Sequence, residues 1–179
     1  MSTWSTRGLR GSALEEMVNQ TIMQYDQSGL ALIQKIPTPI TPVQIDKDNR
    51  HITLAYFEKI STVDYIGNVQ GIPICFDVKE CSKDTFPMQN IHEHQVDFMD
   101  KFEKQKGISF FLIYYSHRNE FYYMRFTEIK EYYERAKAGG RKSFKFDEHN
   151  PNYFMPLKKN YFIPILDFIQ KDMDDRLSE

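Results

Sequence analysis

The stretch STVDYIGNVQGIPICFDVKE, residues 61–80, decides how this sequence is interpreted. It holds an acid at Asp64, a polar centre with glycines, an apolar run, and then Asp77 and Lys79. Two apolar segments joined by glycine and asparagine predict a β-hairpin, with its turn at Gly67–Asn68. Side chains two positions apart on a strand share one face, so we expect Asp77 and Lys79 to lie together.

These three polar residues have two interpretations. Hydrolysis of a phosphodiester with Mg²⁺ needs hard oxygen ligands and benefits from a cation that orients the attacking water. A hairpin could bring Asp64 within reach of the same ion as Asp77. The same residues would also be expected from a structural salt bridge at a strand end, because an unpaired buried carboxylate is costly and a lysine beside it would offset its charge. Spacing alone leaves the ordinary hairpin ahead of the metal site.

Composition predicts one globular domain. The 179 residues are 41% hydrophobic and 15% aromatic, enough to bury a core. A net charge of −2 is low for a DNA-binding protein, so DNA contact would require segregated basic residues, which occur near the N-terminus and around Gly139-Gly140. Two cysteines cannot form a disulfide framework, and we find no leader or long apolar span. We therefore expect a cytoplasmic protein that does not associate with membranes.

Periodicity predicts an α/β sandwich. Residues 1–11 are expected to form a flexible basic arm, and Ser12 with Glu15 predicts a capping box for an amphipathic helix from Ser12 to about Gln27. Prolines among alternating segments predict a hairpin that leaves the body at about 37–60. We expect residues 12–179 to form a single domain that carries this hairpin as an insertion. Its other predicted elements are strands at 30–36, 107–116 and 120–127 and helices at about 92–106 and 127–140.

The histidines of HEHQ, residues 92–95, do not form a zinc-protease motif. Zinc histidines on a helix are four residues apart, whereas His92 and His94 would project roughly 200° apart. A helix start beside an active-site loop explains them adequately. No motif in the sequence pairs either cysteine with a general base, so the sequence does not support a cysteine nucleophile.

Six motifs in collinear order resemble the RecU family of Holliday junction resolvases, which belongs to the PD-(D/E)xK, or restriction-endonuclease-like, nucleases. They span about residues 7–146 and read RGSALEEMVNQT, IQKIPTPI, AYFEKISTVDYIG, FDVKE, FPMQNIHEHQ and GGRKSF. The resemblance implies a mixed central β-sheet flanked by helices, with a protruding β-hairpin stalk that enters the centre of the junction. It also places the metal site ahead of the ordinary hairpin.

The resemblance implies a metal site. Asp64, Asp77 and the backbone carbonyl of Val78 would hold Mg²⁺, with Thr62 nearby. The family usually has Glu at the position of Asp77. Because Asp is one methylene shorter, the preference could shift toward Mn²⁺.

The remaining catalytic residues also follow from the resemblance. Lys79 matches the catalytic lysine, Gln95 the glutamine close to the metal, and Glu15 an acid that acts on the metal through water. We expect DNA to be bound by basic residues of the arm, the stalk and the loops: Arg7, Arg10, Lys35, Lys47, Arg50, Lys83, Arg141 and Lys142.

The function implied is that of a homodimeric, structure-selective endonuclease that resolves four-way DNA junctions by paired nicks. Contacts with a recombinase and a branch-migration helicase are implied in the same way. Two alternatives remain open at this point. One is a duplex-specific endonuclease of the same superfamily, and the other is a junction-binding protein that modulates recombination without cleaving DNA.

Overall fold

The structure, a computed structural model, describes residues 4–57, 62–156 and 162–178, and describes no side chain for residues 4–12 or Pro156. The helices within these ranges are α1 (Trp4–Gln27), α2 (Glu93–Lys104), α3 (Phe126–Lys137) and α4 (Ile165–Ser178). The strands are β1 (Leu32–Lys35), β2 (Ile40–Asp46), β3 (His51–Phe57), β4 (Tyr65–Val69), β5 (Ile72–Cys81), β6 (Thr85–Pro87), β7 (Ile108–Tyr115), β8 (Glu120–Arg125), β9 (Ser143–Lys145) and β10 (Phe154–Pro156).

A mixed six-stranded sheet forms the centre of the molecule, in the order β1-β4-β5-β7-β8-β10. The central strands β5 and β7 run parallel, and the other neighbours are antiparallel. β7 reads ISFFLIYY and is buried along nearly its whole length, as a strand covered on both faces should be. The predicted mixed central sheet with flanking helices is confirmed.

Stacked aromatic rings cross one face of this sheet, from β4 through β5 and β7 to β8. Tyr65 stacks on Phe76, Phe76 on Phe110, and Phe110 on Tyr123, with centroid separations of 4.7, 4.9 and 4.3 Å. Hydrogen bonds from the two tyrosines tie α1 and α4 to this aromatic face. Residues adjacent to these along each strand point to the opposite face, which α2 and α3 cover by packing on β7 and on each other.

The hairpin of β2 and β3 is a two-stranded sheet of its own. Its apolar side chains are largely exposed, and Phe57 at the end of β3 is 76% exposed. This stalk hairpin lies in the segment predicted at about 37–60, of which residues 58–60 are outside the described residues.

α1 begins earlier than predicted. It starts at Trp4, so Ser12 lies inside the helix and the predicted capping box of Ser12 and Glu15 is wrong. Residues 4–11 contain no proline, so the backbone hydrogen-bond ladder can continue back through the segment predicted as a flexible arm. Residues 1–3 of that arm lie outside the described residues. The predicted end is confirmed, because α1 stops at Gln27 and Gly29 follows with φ 66°.

The turn between β4 and β5 was predicted at Gly67–Asn68, and this prediction was wrong. The turn is at Gln70 and Gly71, both with positive φ (49° and 96°). Gly67 instead lies within β4, where a Cβ would come 2.5 Å from the carbonyl oxygen of Leu32 on β1. Its glycine is therefore explained by the close approach of β1 and not by a turn.

The segment after residue 150, for which the sequence predicts only a loop and an apolar stretch, ends in helix α4. Buried Ile165 and Ile169 lie four residues apart on the side of α4 that packs into the core. Among the described residues, no helix is long and apolar enough to cross a membrane.

Candidate metal centre

The register of the β4–β5 hairpin brings Asp64 and Asp77 together. Tyr65 pairs with Phe76 across the two antiparallel strands, so the next position along this register sets Asp64 opposite Asp77. Opposite residues of an antiparallel pair point to the same face of the sheet. The Oδ2 atom of Asp64 also accepts a hydrogen bond of 3.2 Å from the backbone N–H of Val78. Asp64 is thus held at the end of the hairpin beside Asp77.

Asp77 is completely buried, on the sheet face opposite the stacked aromatic rings. Lys79 lies on the same face, and its Nζ atom is 2.9 Å from Asp77 Oδ1. This contact is an ion pair without hydrogen-bond geometry, so Oδ1 has no hydrogen-bond donor. Lys79 is itself largely buried and packs 5.8 Å from the ring centroid of Phe111. The predicted pairing of Asp77 and Lys79 on one face is confirmed.

Gln95 supplies the other contact to Asp77. Its Nε2 atom donates to Asp77 Oδ2, while its Oε1 atom accepts a hydrogen bond of 3.1 Å from the backbone N–H of His92 at the start of α2. The backbone N–H can only donate, so it requires the amide oxygen on its side and leaves the amide NH₂ group facing the carboxylate. Gln95 therefore caps α2 and orients Asp77 at the same time.

Burial raises the pKa of Asp77 to about 7. Lys79 opposes this shift with its positive charge, and Asp64 adds to it with a negative one. A buried carboxylate that faces a second acid and keeps an oxygen without a hydrogen-bond donor fits a hard divalent cation, which would satisfy that oxygen and offset the repulsion. In the described part of the chain, no group of three or more His, Cys, Asp or Glu side chains converges on a metal site. Further ligands would come from other oxygen groups, such as backbone carbonyl groups or water.

Glu15 is positioned differently from the two aspartates. Lys35 Nζ binds its Oε2 atom at 2.5 Å, and Lys35 pairs with Tyr65, so this ion pair lies at the end of β1 on the aromatic face. The charges of Glu15, Asp64 and Asp77 all raise the pKa of the Tyr65 hydroxyl, after the larger effect of burial. Glu15 is thus near the aspartates without binding them, and its action through water stays a prediction.

The parts that Thr62 and the Val78 carbonyl group take in the metal site stay predictions. Thr62 is half-buried, two residues before Asp64. Val78 is half-buried within β5, and its N–H rather than its carbonyl is the group that contacts Asp64. A metal contact by the Val78 carbonyl stays a prediction.

Two of the basic residues expected to bind DNA have acidic partners. Lys35 binds Glu15, and Arg141 binds Glu148 and the carbonyl oxygen of Ser143. The side chains of Arg7 and Arg10 lie outside the described residues. The remaining four are exposed, two at the tip of the stalk hairpin and two beside β6 and β9: Lys47, Arg50, Lys83 and Lys142.

Sequence reasoning missed Tyr65 and Asn19 as neighbours of the centre, and it gave His94 only a place at a helix start beside the active-site loop. Tyr65 follows Asp64 directly, and its hydroxyl donates to Asn19 Oδ1 on α1 at 3.2 Å. His94 stacks on His92 with centroids 5.5 Å apart, and its pKa is lowered by burial, by His92 and by the charge of Lys79. The HEHQ motif signals His94, but no local pattern separates Tyr65 or Asn19 from ordinary core residues.

Comparison with known proteins assigns a family. Residues 9–171 match the family model described as RecU, recombination protein U. A Pediococcus pentosaceus protein described as Holliday junction resolvase RecU is 37% identical over 175 residues, which cover 94% of this chain and 86% of that protein. A Bacillus licheniformis protein with the same description is 40% identical over 143 residues, covering 78% of this chain and 71% of the relative.

A solved structure of the Archaeoglobus fulgidus Holliday junction resolvase Hjc is a more distant match. It shares 7% sequence identity and a TM-score of 0.41, over 63% of this chain and 77% of that one. At this TM-score the similarity has no bearing on the site.

Proposed function

The chain belongs to the RecU family, and on that premise we propose that it is a divalent-metal-dependent endonuclease that resolves four-way DNA junctions. The observation that carries the proposal is the set formed by Asp64, Asp77, Lys79 and Gln95. Two acids face each other on a buried part of the sheet, with a lysine and an amide fixed around one of them.

Each side chain has a distinct role in this proposal. Asp64 and Asp77, with the carbonyl group of Val78, would hold Mg²⁺ or Mn²⁺. When bound, the cation supplies Lewis-acid activation of water and of the scissile phosphate. Lys79 orients the attacking water and offsets the charge that grows on the phosphate. Gln95 keeps the Asp77 carboxylate in one orientation.

The substrate class rests on the family membership and on the shape of the chain. The stalk hairpin exposes apolar side chains on a two-stranded sheet outside the central one, which suits an element that enters the open centre of a junction. A four-way junction has two-fold symmetry, so we propose a homodimer that places one site on each of two opposed strands. Contacts with a recombinase and a branch-migration helicase, and a cytoplasmic location, stay predictions.

The test is an assay of a mobile synthetic four-way junction and of linear duplex, with Mg²⁺, with Mn²⁺ and with EDTA. We expect nicking of the junction that requires the metal. Asp64→Ala should abolish nicking by removing a metal ligand, and Lys79→Ala by removing the group that orients water. Both variants should still bind the junction in a gel-shift measurement.

Other outcomes favour the alternatives. If the wild-type protein binds junctions but nicks no DNA with either metal, it is a non-cleaving modulator. If linear duplex is cut as fast as the junction, it is a duplex endonuclease of the same superfamily. Lys104→Ala is the control, because Lys104 also pairs with an aspartate but lies on the exposed C-terminal end of α2.

A further inference from the structure

A short two-stranded ribbon lies outside the central sheet, and one of its strands lies in the chain between β5 and α2, the elements that carry Asp77, Lys79 and Gln95. β6 and β9 form it, with Phe86 paired to Phe144 and Thr85 paired to Lys145. Alternation along the strands turns Phe86 and Phe144 inward, where both are fully buried, and turns Thr85 and Lys145 outward, where both are exposed. We call β6, β9 and the flanking residues Lys83 and Lys142 the basic ribbon.

The inner side of the basic ribbon is firmly anchored. The rings of Phe86 and Phe144 stack with centroids 4.9 Å apart, and Tyr132 of α3 stacks on Phe144 at 4.8 Å. Arg135 donates a 2.7 Å hydrogen bond and Arg141 a 3.0 Å one to the carbonyl oxygen of Ser143 on β9. The outer residues are therefore presented on a rigid support.

These two arginines share one acid. Both guanidinium groups bind Glu148, which follows β9 closely in the chain. Arg141 was expected to contact DNA, but its donors are used to hold the ribbon together. One acid offsets only one of these two positive charges, and further charge for a ligand comes from other residues.

The exposed lysines of the basic ribbon supply that charge. In the described ranges Lys83, Lys142 and Lys145 have no acidic partner, whereas the lysines at 35, 79, 104, 130, 137 and 171 each pair with an acid. The nearby Asp84 is bound by His117 and Arg118, which hold the pKa of its carboxyl at about 2. Asp147, two residues after Lys145, is exposed and offsets part of this charge, so the outer face of the ribbon carries an excess of positive charge in a chain whose net charge is −2.

Strand β6 of the ribbon is linked along the chain to elements of the metal centre on both sides. Upstream, it follows the end of β5, the strand that carries Asp77 and Lys79. Downstream, Met88 donates a 3.0 Å hydrogen bond to the carbonyl oxygen of Lys142, and the chain then leads to Gln95, which binds Asp77. β6 thus connects the two elements that carry the candidate metal centre.

We infer that the basic ribbon binds the phosphate backbone of the DNA arm next to the cleavage site. Lys145 lies on the exposed face of β9, and Lys142 is exposed just before that strand, so both ammonium groups are open to a phosphate backbone. Lysine ammonium groups and a threonine hydroxyl can bind phosphate oxygens without contacting the bases, so this binding would not depend on the DNA sequence. This inference rests on the proposed function, since it assumes that the centre acts on DNA.

The test compares two double variants of equal charge. Lys142→Gln with Lys145→Gln removes two cations from the ribbon, and Lys101→Gln with Lys106→Gln removes two exposed cations from the last turn of α2 and the turn that follows it. Affinity for a labelled four-way junction and for linear duplex is measured by fluorescence anisotropy in EDTA, over a series of KCl concentrations. Nicking by the wild-type protein with Mg²⁺ is assayed in parallel.

Each lost phosphate contact should reduce the magnitude of the slope of log affinity against log salt by about 0.9. For the ribbon variant the slope should therefore become less steep by about 1.8 with both DNAs. The control variant should keep the wild-type slope. An unchanged slope in the ribbon variant, or an equal loss in the control, overturns the inference while wild-type nicking still supports the proposed function. A reduced slope in a protein that nicks nothing supports the ribbon and overturns the proposed function.

Discussion

Gln95 uses both ends of one amide, and this makes it the most informative single residue of the centre. Its oxygen caps the start of α2, and its nitrogen donates to the buried carboxylate of Asp77. A glutamate would keep the cap, because its carboxylate can still accept from the N–H of His92. It would also place a third negative charge against Asp64 and Asp77.

We predict that Gln95→Glu lowers the melting temperature in EDTA, because an additional carboxylate is buried beside Asp77 without a cation. Adding Mg²⁺ should raise the melting temperature more in this variant than in the wild type, since a third acid strengthens binding of the ion to the folded state. Differential scanning fluorimetry with EDTA and with Mg²⁺ measures both effects.

Glu93→Gln is the matched control for that comparison. Glu93 also lies in the first turn of α2, but it is exposed and pairs with Lys137 on α3. Its melting temperature should respond to Mg²⁺ as the wild type does. If Gln95→Glu is as stable as the wild type in EDTA, the amide does not orient Asp77.

At the scale of elements, α4 is held by a buried ionic network that gives the C-terminal segment a structural role. Asp172 is fully buried and accepts from Tyr123 and Arg125 of β8 and from Arg176 of its own helix. Arg176 also binds Glu103 of α2 at 2.6 and 3.0 Å. The network connects the helix on the aromatic face with one on the opposite face.

We predict that Asp172→Ala lowers the free energy of unfolding by about 3–5 kcal/mol, because it removes the buried carboxylate that two partly buried arginines share. Asp174→Ala removes an exposed acid from the same helix and should change stability by less than about 0.5 kcal/mol. Urea denaturation followed by circular dichroism measures both values. Equal effects of the two substitutions would mean that α4 is held by its apolar contacts alone.

At the scale of the whole molecule, the proposed paired nicks require two copies of the chain. One chain carries one pair of facing aspartates, so a single copy has one candidate centre in its described residues. A two-fold dimer on a two-fold junction gives each copy its own strand. The two cuts then depend on two separate lysines.

We predict that a mixed dimer of one wild-type copy and one Lys79→Ala copy nicks only one strand of a junction. Differently tagged chains can be co-expressed, and the mixed species isolated by two affinity steps. Strand-specific labels on the junction then report each cut. Wild-type dimers carrying the same two tags are the control, and paired cutting by the mixed dimer would contradict the assignment of one site to each strand.

Much of the fold follows from local sequence. Alternation predicts the strands around Asp77 and Lys79 and places the two side chains on one face, because a strand repeats every two residues. Helical spacing predicts α2 and α3, and prolines with alternating segments predict the stalk hairpin. The collinear motifs identify the family from sequence alone, which the comparisons confirm.

The meeting of Asp64 and Asp77 was decided only by the tertiary structure. A turn at Gly67–Asn68 would have put Asp64 opposite Gly71, just before β5, whereas the turn at Gln70 and Gly71 sets it opposite Asp77. The two glycines look alike in the sequence, and the close packing of β1 against Gly67 distinguishes them. The sequence by itself thus determined which residues are available for metal chemistry. Long-range packing decided which of them face each other, because strand register depends on contacts that no local pattern contains.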